Sequence, residues 1–284
     1  MASSHSPRPF LASRPGLARP AVAILGVGLD LTESFRPGAA AGPAAIRDLS
    51  DSIETYSPIL DRDLEGLAIA DLGDLPFDGL PMDVALAAIA EVAERISGQG
   101  TLPVLLGGEH TLTLGAVRGL RRHHPDLRVL HVDAHLDLIE EYAGDTVCHA
   151  TVLRRICEEI GADRVVQAGG RSGTAGEWRY ARQLLGASGD LAISPAARAT
   201  LETGPVYLSI DIDVLDPSAA PGTGCPEPGG PTFRELQAFV HSLAGLHVVA
   251  IDVVEVLPAI DPAGIAAVSA AKLVREAILQ FAAR

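Results

Sequence analysis

Short apolar runs alternate with helix-patterned stretches along almost the whole chain, and this alternation constrains the fold more than any other feature. Residues 21–29 (AVAILGVGL), 66–71 (GLAIAD), 102–106, 128–132, 164–168, 205–210 (PVYLSI) and 246–254 read as strands. Helices are expected between them. Pro43 opens one over 43–49, and residues 81–96 repeat apolar side chains at three and four, with Asp83 near the N-terminus. Further helices are expected over 111–124, 149–160, 176–185, 232–243 (capped by Thr232) and 264–281. Strands that are apolar on both faces, joined to helices by short connections, predict a parallel sheet covered on both sides. A (β/α)8 barrel gives the same pattern with about seven or eight strands, and the pattern alone does not separate the two.

The 284 residues suit one large core, and 29 glycines and 20 prolines suit many tight connections. A flexible tail is expected over residues 1–20, which carry Arg, Ser and Pro but no acid and lack the apolar core of a secretory signal. Residues 21–284 are expected to form one domain. No apolar run reaches membrane-spanning length. The formal net charge of −14 argues against nucleic acid or an anionic membrane as partner and favours cationic ligands. Cys148, Cys157 and Cys225 are odd in number and lack CxxC spacing, which points to a reducing cytoplasm.

Polar residues collect where strands end. The run RVLHVDAHLD (128–137) delivers Asp133, His135 and Asp137 in five residues, and an extended backbone would turn all three to one face. His110 follows the strand at 102–106, Asp211 and Asp213 follow 205–210 with the same spacing, and Glu255 follows 246–254. In either α/β architecture that rim is where sites are built. Asp133, Asp137, Asp211 and Asp213 with neutral His110 and His135 make a six-ligand set of charge −4, matched by two divalent ions. Oxygen-rich ligation without thiolate favours two manganese ions per chain over zinc or copper. Such a pair supplies activated water, and with hydroxide bound the centre carries about one negative charge, which suits a cationic electrophile such as a guanidinium.

Four segments carry a resemblance: GGEH (107–110), DAHLD (133–137), SIDIDVLDPSAAPGTGCPEPGG (209–230) and DVVEV (252–256). With weaker similarity around RPGAAAGPAAIR (36–47), the sequence resembles the ureohydrolase family of arginase and agmatinase, agmatinases most. The resemblance implies a three-layer α/β/α fold with a mostly parallel sheet of about eight strands. It implies that Asp133 and Asp211 bridge two ions, His110 and Asp137 completing one site and His135 and Asp213 the other. It assigns the guanidinium to Glu255 and the protons near the leaving amine to His149, with Asp137 in the relay. The reaction implied is hydrolysis of a guanidino compound to urea and an amine, in a homotrimer or homohexamer. His131, outside the family's ligand pattern, reads as a packed neighbour. Relatives often carry Asp where Glu109 stands and Thr where Cys225 stands beside the substrate; a thiol is the weaker donor.

The loop after DAHLD points to the substrate. Glu140, Glu141 and Asp145 stand in a region where arginases use Asn and Ser to hold a carboxylate. An acidic loop repels a carboxylate and attracts an ammonium. Agmatine, cleaved to putrescine and urea, is therefore the expected substrate, with Glu140, Glu141 and Cys225 as substrate-binding candidates. The alternatives are aminopropylagmatine, guanidinobutyrate, arginine or formiminoglutamate, or a non-catalytic metal-binding relative.

Overall fold

A computed structural model describes residues 8–77, 79–184 and 189–283. Residues 1–7 of the expected tail, Leu185 at the end of one expected helix, and Arg284 lie outside the described residues. Among the described residues the strands are β1 (Val22–Val27), β2 (Tyr56–Ser57), β3 (Arg62–Asp63), β4 (Ile69–Asp74), β5 (Leu102–Gly107), β6 (Arg128–Val132), β7 (Val165–Ala168), β8 (Val206–Asp211) and β9 (Val248–Val254). Seven of them form one sheet in the order β4-β1-β5-β9-β8-β6-β7, every neighbouring pair parallel. This open sheet excludes the barrel. The sheet holds seven strands where the resemblance implies about eight, and they correspond to the seven apolar runs of the sequence.

Helices α1 (Gly42–Ser50), α2 (Met82–Ser97), α3 (Leu112–Leu120), α4 (Val152–Ile160), α5 (Ala175–Leu184), α6 (Pro195–Glu202), α7 (Phe233–Ser242) and α8 (Ile265–Phe281) cover the two faces. Alternate strand residues divide between them. Ile24, Val104, Leu208 and Ile251 point to the layer of α1, α6, α7 and α8, while Leu25, Leu105, Tyr207 and Ala250 point to α2, α3, α4 and α5. Both sides of β1, β5 and β8 are therefore buried, which is why these strands read as continuous apolar runs. Local signals agree with this packing. Thr232 and Glu235 close a capping box at α7, and Asp83 and Arg95 sit at the dipole-favoured ends of α2.

Several boundaries differ from expectation. Helix α3 stops at Leu120 rather than His124, and residues 121–123 continue as hydrogen-bonded turns ahead of Pro125. Strand β4 begins three residues late, since Leu64–Gly66 forms a 3-10 turn capped by Asp63. Helix α6 was signalled by Ser194 as cap with Pro195 in the first turn, a pattern the sequence reading passed over. Part of the expected flexible tail is docked. Phe10 is buried, its N–H donates to Asp71 Oδ2, and Arg14 N–H donates to the Ile69 carbonyl at 2.8 Å. An apolar residue among polar ones gave that segment something to bury.

Candidate active site and metal centre

The four strands β5, β9, β8 and β6 are neighbours at the middle of the sheet, and their C-terminal ends carry the polar residues. After β5 the backbone presses so close to Leu29 that a Cβ on Gly108 would lie 2.0 Å from the Leu29 carbonyl oxygen, so only glycine fits. The next residue, Glu109, is fully buried and accepts from the N–H groups of Leu31 and Thr32 and from Thr32 Oγ1. It thereby pins the 30–34 loop over the site. His110 follows directly.

The extended alternation expected through Asp137 stops at Val132. Asp137 has φ 53° and Glu255 has φ 64°, both in the left-handed region that costs a non-glycine residue energy. Asp213 likewise leaves the strand, in the 3-10 turn Ile212–Val214, where its N–H donates to Asp211 Oδ1 at 2.7 Å. Tight turns, rather than one strand face, bring the carboxylates together.

Two groups of donor atoms result. His110 Nδ1 lies 2.9 Å from Asp133 Oδ2, 3.3 Å from Asp211 Oδ2 and 3.6 Å from Asp137 Oδ2. His135 Nδ1 lies 2.8 Å from Asp213 Oδ2 and 3.7 Å from Asp133 Oδ1. Asp133 offers one oxygen to each group, the arrangement a bridging carboxylate needs. Donors around an octahedral ion at ~2.1 Å stand ~3 Å apart, and these separations fit. Within the first group, His110 Nδ1 and Asp133 Oδ2 are buried without a hydrogen-bond partner, so the donor set lacks its counterpart. The residues present suit a pair of divalent cations.

Hydrogen-bond directions set His110 for this. Asp252, fully buried, accepts from Thr113 Oγ1, Tyr207 OH and Ser209 Oγ at 2.6–2.7 Å. With its proton on Asp252, Ser209 Oγ accepts from His110 Nε2–H at 2.8 Å. Nδ1 is then the nitrogen left for a cation. His131 packs beneath: its ring stacks on that of His110 at 4.6 Å, and its Nε2 lies 3.3 Å from Asp133 Oδ2. Burial pushes His131 down to about 3, so it is neutral. It is the packed neighbour expected, and its ring nitrogen also falls within a donor cluster with His110, Asp133 and Asp137.

The electrostatics ask for positive charge. Burial, then Asp133, holds Asp137 well above the usual carboxylate range, and burial, Asp213 and Asp133 do the same to Asp211. Burial opposes the charging of His110, but the adjacent Asp133 and Asp211 carboxylates outweigh it and raise it well above the ordinary imidazole value. Protons held in such a cluster are what a bound cation displaces.

A cavity of about 360 Å³ opens onto these groups, lined also by Glu33, His149, Cys225 and Glu255. Glu255 Oε1 accepts the His110 backbone N–H at 2.6 Å, so its carboxylate is tied to the metal-ligand loop. His149 is lowered by burial and stays neutral. Its backbone N–H and Nδ1 both meet Thr32 Oγ1, whose own proton goes to Glu109. His149 therefore carries its proton on Nδ1, and Nε2 is basic. Cys225 Sγ lies 3.5 Å from Ser34 Oγ, its thiol raised by burial. Glu140, Glu141 and Asp145 are exposed on a turn closed by the Tyr142–Asp145 pair and do not line the cavity. Sequence reading passed over Glu33, Ser209 and Asp252. A buried acid inside an apolar strand was the available signal for Asp252.

The Arginase family model matches residues 20–280. An agmatinase from Bacillus anthracis is 39% identical, over 97% of this chain and 97% of its own length. A guanidinobutyrase from Pseudomonas aeruginosa is 36% identical, over 89% of this chain and 84% of its own. The crystal structure of the agmatine ureohydrolase of Thermoplasma volcanium superposes with a TM-score of 0.86 at 28% identity, covering 98% of this chain and 95% of that one. The open parallel sheet and the paired donor clusters agree with these similarities: the chain belongs to the arginase family, hydrolases that act on guanidino carbon–nitrogen bonds.

Proposed function

We propose that the protein hydrolyses agmatine to putrescine and urea at a two-manganese centre. The carrying observation is the cavity: carboxylates and histidines line it, and no Lys or Arg among the described residues does, so no basic side chain outside the metal-ligand set waits for a substrate carboxylate. A guanidinium with an amine tail suits that lining better than arginine or guanidinobutyrate. The similarity to agmatinases supports the same choice. The similarity to a guanidinobutyrase favours a second reading, a guanidino acid.

The family depends on a binuclear metal centre, and this chain has donor clusters able to hold one. His110, Asp137 and Asp211 with Asp133 would hold one ion; Asp133, His135 and Asp213 the other, with Asp211 as second bridge. Bound there, the pair supplies activated water and polarises the carbon that is attacked. The remaining steps fall to this chain's side chains. Glu255 orients the guanidinium by charge-assisted hydrogen bonds. Asp137 holds a proton beside it, His149 Nε2 takes one up and returns it to the departing amine, and Cys225 and Ser34 pack beside the substrate. The same reading makes residues 21–284 one catalytic domain, places the enzyme in a reducing cytoplasm, as its unpaired cysteines favour, and makes it a homotrimer or homohexamer. Among the described residues, no helix is long and apolar enough to cross a membrane.

The test is urea release from agmatine, arginine, guanidinobutyrate and aminopropylagmatine with manganese supplied. Agmatine should give the highest kcat/KM, chelator should abolish activity, and metal analysis should find two ions per active chain. Preference for guanidinobutyrate would reverse the substrate assignment, and one ion per active chain would reject the centre.

A further inference from the structure

The 30–34 loop brings a carboxylate into the cavity that the reaction outlined above leaves unused. Glu33 lines the cavity together with Glu255, and after burial its charge does most to hold the Glu255 carboxyl well above the usual range. Its Oε1 is buried and has no partner. Its Oε2 lies near Gly224, in the loop that carries Cys225, 3.5 Å from where a Cβ on that glycine would stand. The side chain does not hang from a free loop. Glu109 ties down Leu31 and Thr32, and Asp30 Oδ2 accepts the Gly38 N–H at 2.7 Å. Two carboxylates thus face one cavity whose lining, among the described residues, offers no Lys or Arg to either. Like charges that share one buried site favour a shared proton or a cation between them. Burial, with Glu109 and Asp30 adding to it, pushes Glu33 up to about 7, in keeping with the proton-sharing form when the cavity is empty.

We propose that Glu33 contacts the substrate, forming with Glu255 a carboxylate pair that the guanidinium end bridges. A guanidinium presents five N–H donors in a planar fork, enough for both carboxylates, and its charge resolves their repulsion. Urea, the product, keeps N–H donors but carries no charge, so the pair holds substrate more tightly than product. Glu33 in this role selects for the cationic head group and is indifferent to the tail.

This inference rests on the guanidino-hydrolase reading, and its test separates the two. The probes are guanidinium ion, titrated calorimetrically into the manganese-loaded protein, and agmatine in steady-state assays. Glu33→Gln and Glu33→Ala should weaken guanidinium binding about tenfold and raise KM for agmatine by the same factor, about 1.4 kcal/mol each. Glu33→Asp should fall between, and metal content and melting temperature should stay at wild-type values. Unchanged guanidinium affinity in the variants overturns the proposal, even if KM for agmatine rises, since Glu33 would then act on the tail. A wild type that binds no guanidinium overturns it as well. A wild type that binds guanidinium through Glu33 yet releases urea from no guanidino compound leaves the proposal standing and rejects the functional reading.

Discussion

The direction of one hydrogen bond decides what His110 offers. Ser209 gives its proton to Asp252 and accepts from His110 Nε2–H, which leaves Nδ1 facing Asp133, Asp137 and Asp211. Partners behind a metal-binding histidine commonly set its affinity by about 10–100-fold. Ser209→Ala should therefore weaken manganese at the His110 group by about that factor and leave the His135 group unchanged, read as two-step binding in equilibrium dialysis. Equal loss at both groups, or at neither, would remove Ser209 from this role. DAHLD and IDID were legible because their ligand atoms lie within a few residues of each other. Ser209 was not, because it acts on a histidine 99 positions away and through an aspartate 43 positions away. Glu33 was illegible for the same reason, as a loop acid becomes a site residue only when β9 brings Glu255 to it.

The elements were easier to read than the way they join. Buried strands announced themselves as apolar runs, apolar periodicity marked α2 and a Thr232 cap marked α7, but the turns after β6 and β8 that gather the ligands left no periodic trace. Nor did the hairpin β2–β3, whose attachment is made by charge. Glu276 on α8, fully buried, accepts from Ser57 Oγ in β2 at 2.8 Å and His241 Nε2 in α7 at 2.9 Å, and pairs with Arg275. Burial alone would raise this carboxyl; the Arg275 and Ser57 hydrogen bonds outweigh it and hold it below the ordinary value of 4.5. A carboxyl lowered by folding contributes stability above its unfolded value, and loses it as pH falls through the folded one. Glu276→Gln should cost about 1.5–3 kcal/mol at pH 7, the usual worth of a hydrogen bond to a charged group, and progressively less at an acidic pH well below the ordinary value of 4.5. Urea denaturation at both values measures it. Equal losses at the two pH values would show that packing, not charge, holds the hairpin.

At the scale of the whole molecule, a net charge of −14 surrounds an acidic cavity, and both favour a cationic substrate before any contact is made. Glu140, Glu141 and Asp145 stand exposed on the rim, so their effect reaches the substrate through solvent rather than by contact. Interactions of that kind are screened within a Debye length of about 10 Å at 0.1 M salt. Direct pairs inside the cavity are screened much less. Raising salt should therefore lower kcat/KM for agmatine mainly through KM, leave kcat near its low-salt value, and narrow the preference over guanidinobutyrate without abolishing it. Replacing Glu140 and Glu141 by Gln should flatten that salt dependence and change kcat/KM by a few-fold at low salt, since exposed charges contribute little each. Metal content should not move. If the double variant kept the wild-type salt slope, the steering field would come from the body of the protein. If it lost selectivity even at high salt, the two acids would be touching the substrate, in a closed form of the loop that brings them over the cavity.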